Sequence, residues 1–356
     1  MYDNIPEWED TIQKIINDPG VVMVIGESDC GKTSFCFQAC KTAIENGLRV
    51  ALVDADVGQS EIGAPCTIGM AFIDDIEKLE HRIKPDRIHF VGNTSPIGHM
   101  MECIIGTKTM VDSALSKGAE LVMVDTTGLV SGFAGLKLKQ CKVNLVRPKH
   151  LIGIQKRKEI ERLLYPFLKV NWVKLHAVKS SPLIRTKPPE FRATRRQSNY
   201  HYHFSDSNGH IIYLDEVSTW NTWYRTGRPL KWQYMKFLET QLNCKVIHSE
   251  VSGRGIYVVT ENECIVENMS LIENEFKTDQ IKIVPSNYFN NLIIGLADEN
   301  ANTINVGLVQ AVDFKQKFLY LLSPTKTISY VKVLQFGSIK VSKDGQELGR
   351  IRPGDI

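Results

Sequence analysis

Residues 26–33 read GESDCGKT and match the pattern G-x-x-x-x-G-K-[ST] of a phosphate-binding loop. The glycines let backbone amides turn toward phosphate oxygens, Lys32 has the charge and length to reach the β- and γ-phosphates, and the Thr33 hydroxyl suits Mg²⁺. The sequence therefore predicts a nucleoside triphosphate site, with ATP favoured, although the loop alone does not separate kinases from ATPases and GTPases. The predicted nucleotide-binding residues are Gly26, Glu27, Ser28, Asp29, Cys30, Gly31, Lys32, Thr33 and Ser34.

Acidic residues end two other strand-like segments. The stretch VDADVGQ places Asp54 and Asp56 two residues apart, so both side chains point to the same side of a strand. One carboxylate can help to hold Mg²⁺ while the other accepts a proton from an attacking hydroxyl. The alternative is that one caps a loop and the other is solvated. In VMVDTTG, Asp125 follows an apolar run, as in a Walker-B element. We predict Thr33, Asp54 and Asp125 as metal ligands, and the sequence leaves open which carboxylate dominates.

Strand-like and helix-like segments alternate through the first half of the chain. Short apolar strands separated by helices indicate an α/β fold of the P-loop NTPase type, with a parallel sheet covered by helices on both faces. Ligands of such sheets gather at the carboxyl ends of the strands, where the stretches above lie. The predicted strands are 21–26, 49–56, 87–93, 119–128, 150–155 and 171–178, and the predicted helices are 32–47, 100–118 and 157–167.

The pattern changes near residue 180. A basic, Pro-interrupted stretch is followed after about residue 205 by segments typical of β-strands and turns. We predict an N-terminal segment 1–19, a P-loop domain 20–204 with a basic lid at about 180–204, and a C-terminal β-rich domain 205–356. The lid could contact a γ-phosphoryl group or follow a nucleic-acid backbone, and the alternative is a solvated basic helix.

Composition excludes some classes of protein. The 356 residues include no apolar run near the ~18 residues of a membrane span. The acidic, polar N-terminus is unlike a signal peptide.

Eight cysteines without a C-x-x-C pair predict buried thiols in a reducing cytoplasm, rather than a metal site at Cys36 and Cys40. We interpret His201 and His203 as surface residues for the same lack of further ligands. The net charge of +3 does not by itself indicate a nucleic-acid binder.

Four stretches together carry a family resemblance. GESDCGKT, DADVGQ, FVGNTSP and VDTTG, in this order, resemble the polynucleotide 5′-hydroxyl kinases, which include the RNA kinase of the mRNA 3′-end cleavage factor, ribosomal-RNA-processing kinases and compact archaeal and bacterial members. The resemblance covers about residues 20–204 and, more loosely, the β-rich domain. It implies transfer of the γ-phosphate of ATP, with Mg²⁺, to the 5′-hydroxyl of RNA, with DNA as a further acceptor.

The resemblance also implies residue roles. Asp56 would be the base, and Lys32 would act on the phosphates. The stretch IRTKPPEFRATRR resembles the arginine-bearing lid of the family, which adds Arg185, Arg192 and Arg196 to the catalytic set. Arg192 and Arg196 keep the spacing of the family, whereas Arg185 lies seven residues before Arg192 instead of five. The residues that would hold the acceptor end are Gln59, Thr94, Ser95 and Thr127.

One position departs from the family in a way that affects the acceptor. Many members carry a Trp after the T-x-G of the fourth strand, where it stacks on the terminal base, and this sequence has Leu129. Stacking is worth about 1–3 kcal/mol per base. Either another ring substitutes or the terminal base is held loosely. Two other functions stay open at this point: an ATP-binding assembly factor of RNA processing without catalysis, and a P-loop kinase of a small molecule.

Overall fold

A seven-stranded sheet forms the centre of the first half of the chain. The structure is a computed structural model that describes residues 5–79, 82–253 and 255–356. The chain divides into two units, Met1–Asn199 and Tyr200–Ile356, with the boundary inside a helix. In the first unit the strands stand in the order β4-β3-β2-β5-β1-β6-β7. They are β1 Val21–Ile25, β2 Val50–Ala55, β3 Thr67–Ile73, β4 Arg87–Phe90, β5 Leu121–Thr126, β6 His150–Gln155 and β7 Lys174–Lys179.

Helices cover both faces of this sheet. Neighbouring strand residues point to opposite faces. Val21, Met23 and Ile25 therefore join one apolar cluster, with helices α3 (Met100–Ser116) and α4 (Gly132–Val146), while Val22 and Val24 join another, with α1 (Glu9–Ile16) and α2 (Lys32–Glu45). The predicted fold class is confirmed. The helices are α1 Glu9–Ile16, α2 Lys32–Glu45, α3 Met100–Ser116, α4 Gly132–Val146, α5 Glu161–Leu164 and α6 Pro189–Ser205, with 3₁₀ turns at Pro6–Trp8, Ile76–Leu79 and Tyr165–Phe167.

The sheet differs in detail from the predicted parallel one. Strand β3, which we did not predict, runs antiparallel between β2 and β4. Its connection from β2 is a loop without a crossover helix, so the alternation of strand and helix gave no signal for it. Helix α4 was also missed. The predicted helix 157–167 is shorter, since only 161–164 is α-helical and Pro166 lies in the 3₁₀ turn that follows.

The described part of the N-terminal segment packs into the first unit. The Ile5 backbone exchanges two hydrogen bonds with the Gln38 side chain, at 3.1 and 3.2 Å. Trp8 is fully buried, stacks edge-to-face on Phe35 with ring centroids 5.4 Å apart, and donates its indole N–H to the Lys179 carbonyl at 3.0 Å. These residues are therefore part of the core beneath α2, and the functional domain boundaries at 19/20 and 204/205 stay predictions.

The second unit is β-rich, with two sheets. Strands β10-β11-β12-β13 form one, and β18-β17-β14-β15-β16-β8 form the other, where β9 also pairs with β17. Among the described residues, no helix combines the length and apolar character that crossing a membrane requires. The strands are β8 Asn208–Tyr213, β9 Ser218–Trp220, β10 Arg228–Pro229, β11 Val246–Ser252, β12 Gly255–Thr260, β13 Ile281–Pro285, β14 Leu292–Ala297, β15 Thr303–Asp313, β16 Phe318–Ser323, β17 Val333–Val341 and β18 Glu347–Arg350. The helical elements are α7 Trp232–Leu242, α8 Met269–Phe276 and 3₁₀ turns at Leu214–Glu216 and Ile328–Tyr330.

Replacing Trp8 tests whether the N-terminal helix belongs to the core. We expect Trp8→Ala to lower the free energy of unfolding of the first unit by about 3–5 kcal/mol, because it leaves a large cavity against Phe35. The matched control is Trp232→Ala, since the Trp232 side chain is 72% exposed and its removal should change stability by no more than about 0.5 kcal/mol. Urea unfolding of the three proteins measures both values. Equal midpoints for wild type and Trp8→Ala would show that the segment adds nothing to the core.

Candidate active site

The phosphate loop joins β1 to α2. Asp29 and Gly31 adopt left-handed backbone conformations, with φ of +54° and +99°. A Cβ atom on Gly26 would lie 2.5 Å from the Ile154 carbonyl oxygen, so only glycine fits there. The Lys32 ammonium folds back and donates to the Glu27 carbonyl at 2.7 Å. The loop is thus curled around its own lysine, with the amino end of α2 directed at its centre.

Asp125, at the end of β5, meets the first turn of α2. Its Oδ2 accepts a hydrogen bond from the Thr33 hydroxyl at 2.5 Å, whereas its Oδ1 is buried and has no hydrogen-bond partner within the described ranges. Burial raises the pKa of Asp125 to about 6, against the opposing effects of Lys32 and the Thr33 hydroxyl. A buried carboxylate oxygen without a partner, beside a hydroxyl, is a donor set that suits Mg²⁺, which usually takes one or two carboxylates and completes its shell with phosphates and water.

Asp54 lies beside Asp125 because β2 and β5 pair these two residues directly. Both of its oxygens are bound to the loop that follows β2. Oδ1 accepts from the Asp56 amide at 3.0 Å, and Oδ2 accepts from the Glu61 amide at 2.5 Å and the Ile62 amide at 3.1 Å. Burial and the neighbouring carboxylates raise its pKa, and the amides of Glu61 and Asp56 oppose that shift. In this structure Asp54 caps the loop, and its role as a metal ligand stays a prediction.

The loop capped by Asp54 presents Asp56 and Gln59 to a cavity of about 350 Å³. Asp56 is half-buried and its carboxylate accepts from the Gly58 amide at 3.0 Å. Gln59 donates to the Gly58 carbonyl at 2.7 Å, while its own side-chain oxygen is buried and unpartnered as far as the described residues go. Phosphate-loop residues Ser28, Asp29, Gly31, Lys32, Thr33 and Ser34 line the same cavity. The structure therefore brings the phosphate loop and Asp56 to one space.

The structure does not bring the other predicted acceptor residues into the lining of this cavity. Within the described part of the chain, Thr94, Ser95 and Thr127 are not among its lining residues. Thr94 approaches the loop nevertheless, since a Cβ atom on Gly58 would lie 3.2 Å from the Thr94 carbonyl oxygen. Thr127 is buried at the end of β5. Their contact with an acceptor stays a prediction.

Helix α6 brings arginines to the cavity. Arg192 donates to the Asp29 carboxylate at 2.6 Å, and the Lys187 amide donates to the same oxygen at 3.2 Å. Arg192 lines the cavity, and so does Arg185, which precedes α6, whereas Arg196 is not among the described residues that do. The catalytic roles of these three arginines stay predictions. Arg195, which we did not single out, lines it and forms an ion pair with Glu61. Arg195 follows Arg192 by three residues, and residues three apart share a helix face. This spacing was the signal in the sequence that could have identified Arg195.

Two buried lysines behind the site were also missed. Lys139 and Lys142, on α4, are fully buried, which is rare for lysine. Their three-residue spacing puts both on one face of α4. The sequence signal was weak because this helix had not been predicted. Within the described ranges, no group of three or more His, Cys, Asp or Glu side chains is arranged to hold a metal.

The site combines a strand, a curled loop with its lysine, a hydroxyl and a strand-end carboxylate. These features define a P-loop nucleotide-binding protein, and this fold implies ATP binding. The family model described as "mRNA cleavage and polyadenylation factor CLP1 P-loop" matches residues 26–206. The chain belongs to this family, which confirms the resemblance found in the sequence.

Similar proteins cover nearly the whole chain. A polyribonucleotide 5′-hydroxyl-kinase of Methanocaldococcus jannaschii is 31% identical over 334 residues, covering 93% of this chain and 90% of that protein. One from Pyrococcus furiosus is 28% identical over 350 residues, covering 98% and 96%. The solved structure of Clp1p in complex with a segment of Pcf11p has a TM-score of 0.59 over 93% of this chain and 77% of its own, at 14% identity, and so shares the fold.

Lys32→Ala tests the phosphate loop directly. We expect ATP affinity to fall at least about 10-fold, because a charge-assisted contact with phosphate oxygens is lost. Thermal stability without nucleotide should stay close to that of the wild type, because Lys32 donates only to a carbonyl of its own loop among its described contacts. Lys41→Ala is the matched control on the exposed side of the same helix. Calorimetric titration with ATP measures the difference, and equal affinities for the two variants would contradict the assignment.

Proposed function

We propose that this protein is an ATP-dependent polynucleotide 5′-hydroxyl kinase that transfers the γ-phosphate of ATP to the 5′-hydroxyl end of RNA. One observation carries the proposal: a single cavity is lined by the phosphate loop, by a half-buried carboxylate outside that loop, Asp56, and by lid arginines. A nucleotide-binding module needs only the loop, whereas a kinase also needs a side chain that acts on the acceptor hydroxyl. The names of the archaeal relatives point to the same activity.

On the donor side, Lys32 leaves the Glu27 carbonyl and binds the β- and γ-phosphates, with the loop amides around them. Arg192, Arg195 and Arg185 line the same cavity, where guanidinium groups neutralise charge that spreads over the transferring phosphoryl group. Arg192 gives up its contact with Asp29 to do so. We propose that Arg196 is a lid residue that adds its positive charge to the site after the lid rearranges.

We propose that the Thr33 hydroxyl and Asp125 hold Mg²⁺, because the buried Asp125 Oδ1, which has no hydrogen-bond partner among the described residues, can act as a ligand to such a cation. The metal would neutralise charge on the β- and γ-phosphates. Asp54 contributes mainly by holding the loop that carries Asp56. We propose that its carboxylate also adds negative charge next to Asp125, where Mg²⁺ would bind.

On the acceptor side, Asp56 accepts the proton of the 5′-hydroxyl as that oxygen attacks phosphorus. We propose that the side-chain oxygen of Gln59, which has no partner among the described residues, accepts a hydrogen bond from the acceptor end. We propose that Thr94, Ser95 and Thr127 also contact the acceptor end, and we call these three residues the acceptor wall. We propose RNA as the main acceptor, single-stranded DNA as a second one, and the reducing cytoplasm as the setting, which suits eight cysteines that are all free thiols.

One assay separates this proposal from its two rivals. The protein is incubated with γ-labelled ATP and Mg²⁺ and with four acceptors: a 5′-hydroxyl RNA, the same RNA with a 5′-phosphate, a 5′-hydroxyl single-stranded DNA, and a nucleoside. We expect label on the 5′-hydroxyl RNA and none on its 5′-phosphorylated control. Tight ATP binding without transfer to any acceptor would identify a non-catalytic assembly factor, and transfer to the nucleoside alone would identify a small-molecule kinase.

Asp56→Asn and Asp54→Asn should fail in different ways. Asp56→Asn keeps the size of the side chain and removes its basicity, so single-turnover transfer should fall by about 10²–10⁴-fold, with ATP affinity and thermal stability unchanged. Asp54→Asn replaces a carboxylate that accepts three backbone N–H groups, so thermal stability should fall. Its lost activity should be partly restored by raised Mg²⁺. Rescue of Asp56→Asn, but not of Asp54→Asn, by Mg²⁺ would mean that the roles are exchanged.

A further inference from the structure

Lys139 and Lys142 lie on the same face of α4, but their side chains have different surroundings. Lys139 and Lys142 are both fully buried. The Lys139 ammonium donates to the Thr126 hydroxyl at 2.8 Å, the Thr127 carbonyl at 2.5 Å and the Thr127 hydroxyl at 3.3 Å. The Lys142 ammonium has no hydrogen-bond partner among the residues that the structure describes. Burial lowers the pKa of both side chains, against the raising effect of Asp56 on each. A buried cation is costly, and only Lys139 is compensated by three contacts.

The contacts of Lys139 fix the chain at the end of β5. The Thr126 hydroxyl that receives one of them donates in turn to the Val24 carbonyl at 2.7 Å. A continuous chain of hydrogen bonds therefore runs from α4 through the end of β5 to β1, the strand that leads into the phosphate loop. The Thr127 carbonyl and hydroxyl, which lie beyond the last residue of the strand, are held by the same ammonium.

The segment fixed in this way touches the phosphate loop. A Cβ atom on Gly128 would lie 2.2 Å from the Ser28 Oγ and 2.6 Å from the Ser28 amide nitrogen. The residue after Thr127 is thus in direct contact with the donor loop, with no space for a side chain. A displacement of Thr127 would change the distance between the acceptor wall and the loop that holds ATP.

We propose that Lys139 is a positioning residue for phosphoryl transfer: by holding Thr126 and Thr127, it aligns the acceptor end of the polynucleotide with the phosphate loop. This inference rests on the kinase function proposed above. Lys139 touches neither substrate and acts through Thr127. A misplacement of about 1 Å in such an alignment can cost about 10²-fold in rate.

Lys139→Met, with Lys142→Met as the matched control, tests the proposal in the full-length protein. Both changes remove a buried amino group from the same helix face, but among the described residues only the first removes hydrogen bonds. For Lys139→Met we expect single-turnover transfer to 5′-hydroxyl RNA to fall about 100-fold, with ATP affinity within about 3-fold of wild type. Lys142→Met should keep wild-type transfer. It should unfold at the same temperature or a higher one, since an apolar chain replaces an unpaired buried cation.

A second variant tests the proposal even if Lys139→Met does not fold. Thr126→Val keeps the shape of the side chain and Lys139 itself, and removes only the hydroxyl that joins Lys139 to Val24. It should slow transfer about 10-fold, again with little change in ATP affinity. Equal slowing by Lys139→Met and Lys142→Met would show a general effect of charge and overturn the proposal. Unchanged transfer in a folded Lys139→Met, or in Thr126→Val, would also overturn it, as would a loss of ATP affinity as large as the loss of rate. Failure of the wild type to phosphorylate RNA would instead reject the kinase function itself.

Discussion

The register between β2 and β5 sets two carboxylates, Asp54 and Asp125, side by side in the interior of the protein. Two buried like charges are unfavourable unless hydrogen bonds or cations compensate them. Asp54 is compensated by backbone amides, which is why the loop after β2 curls back over the strand end. Asp125 is compensated by the Thr33 hydroxyl and lies near the Lys32 ammonium. The conformation of the capped loop and the seating of α2 on β5 both follow from this one pair of residues.

The lid helix is attached to both sides of the site. The Arg192 side chain binds Asp29 of the phosphate loop, and its main-chain carbonyl receives the Gln59 side chain at 3.4 Å. Arg195 binds Glu61, whose amide caps Asp54. The helix begins at Pro189, a residue whose fixed φ suits the first turn. A single helical segment therefore contacts both the donor loop and the loop that carries Asp56.

Local patterns in the sequence were sufficient for the phosphate loop, for most strands of the first sheet and for two of the helices that cover it, α2 and α3. The carboxylates were found because they follow apolar runs. Antiparallel β3 was not found, because its pairing is a tertiary event without a crossover helix. Arg195 and Lys139 were missed for a similar reason. Their importance depends on the partners Glu61 and Thr127, which lie elsewhere in the sequence. Three arginines within the five positions 192–196 do not show which of them faces the cavity. Similarly, nothing in VDADVGQ distinguishes the carboxylate that caps the loop from the one that faces the cavity.

Trp8 has a consequence for spectroscopy. Its ring lies so close to the phosphate loop that a Cβ atom on Gly31 would be 2.9 Å from the indole Cη2, and its N–H is held by Lys179. Indole emission depends on the polarity and mobility of its surroundings. The protein thus carries a natural fluorophore directly beneath the triphosphate site, on the side opposite to bulk water. Occupation of the loop can be followed through this ring without a dye or a labelled nucleotide, provided that the other four tryptophans are replaced by phenylalanine.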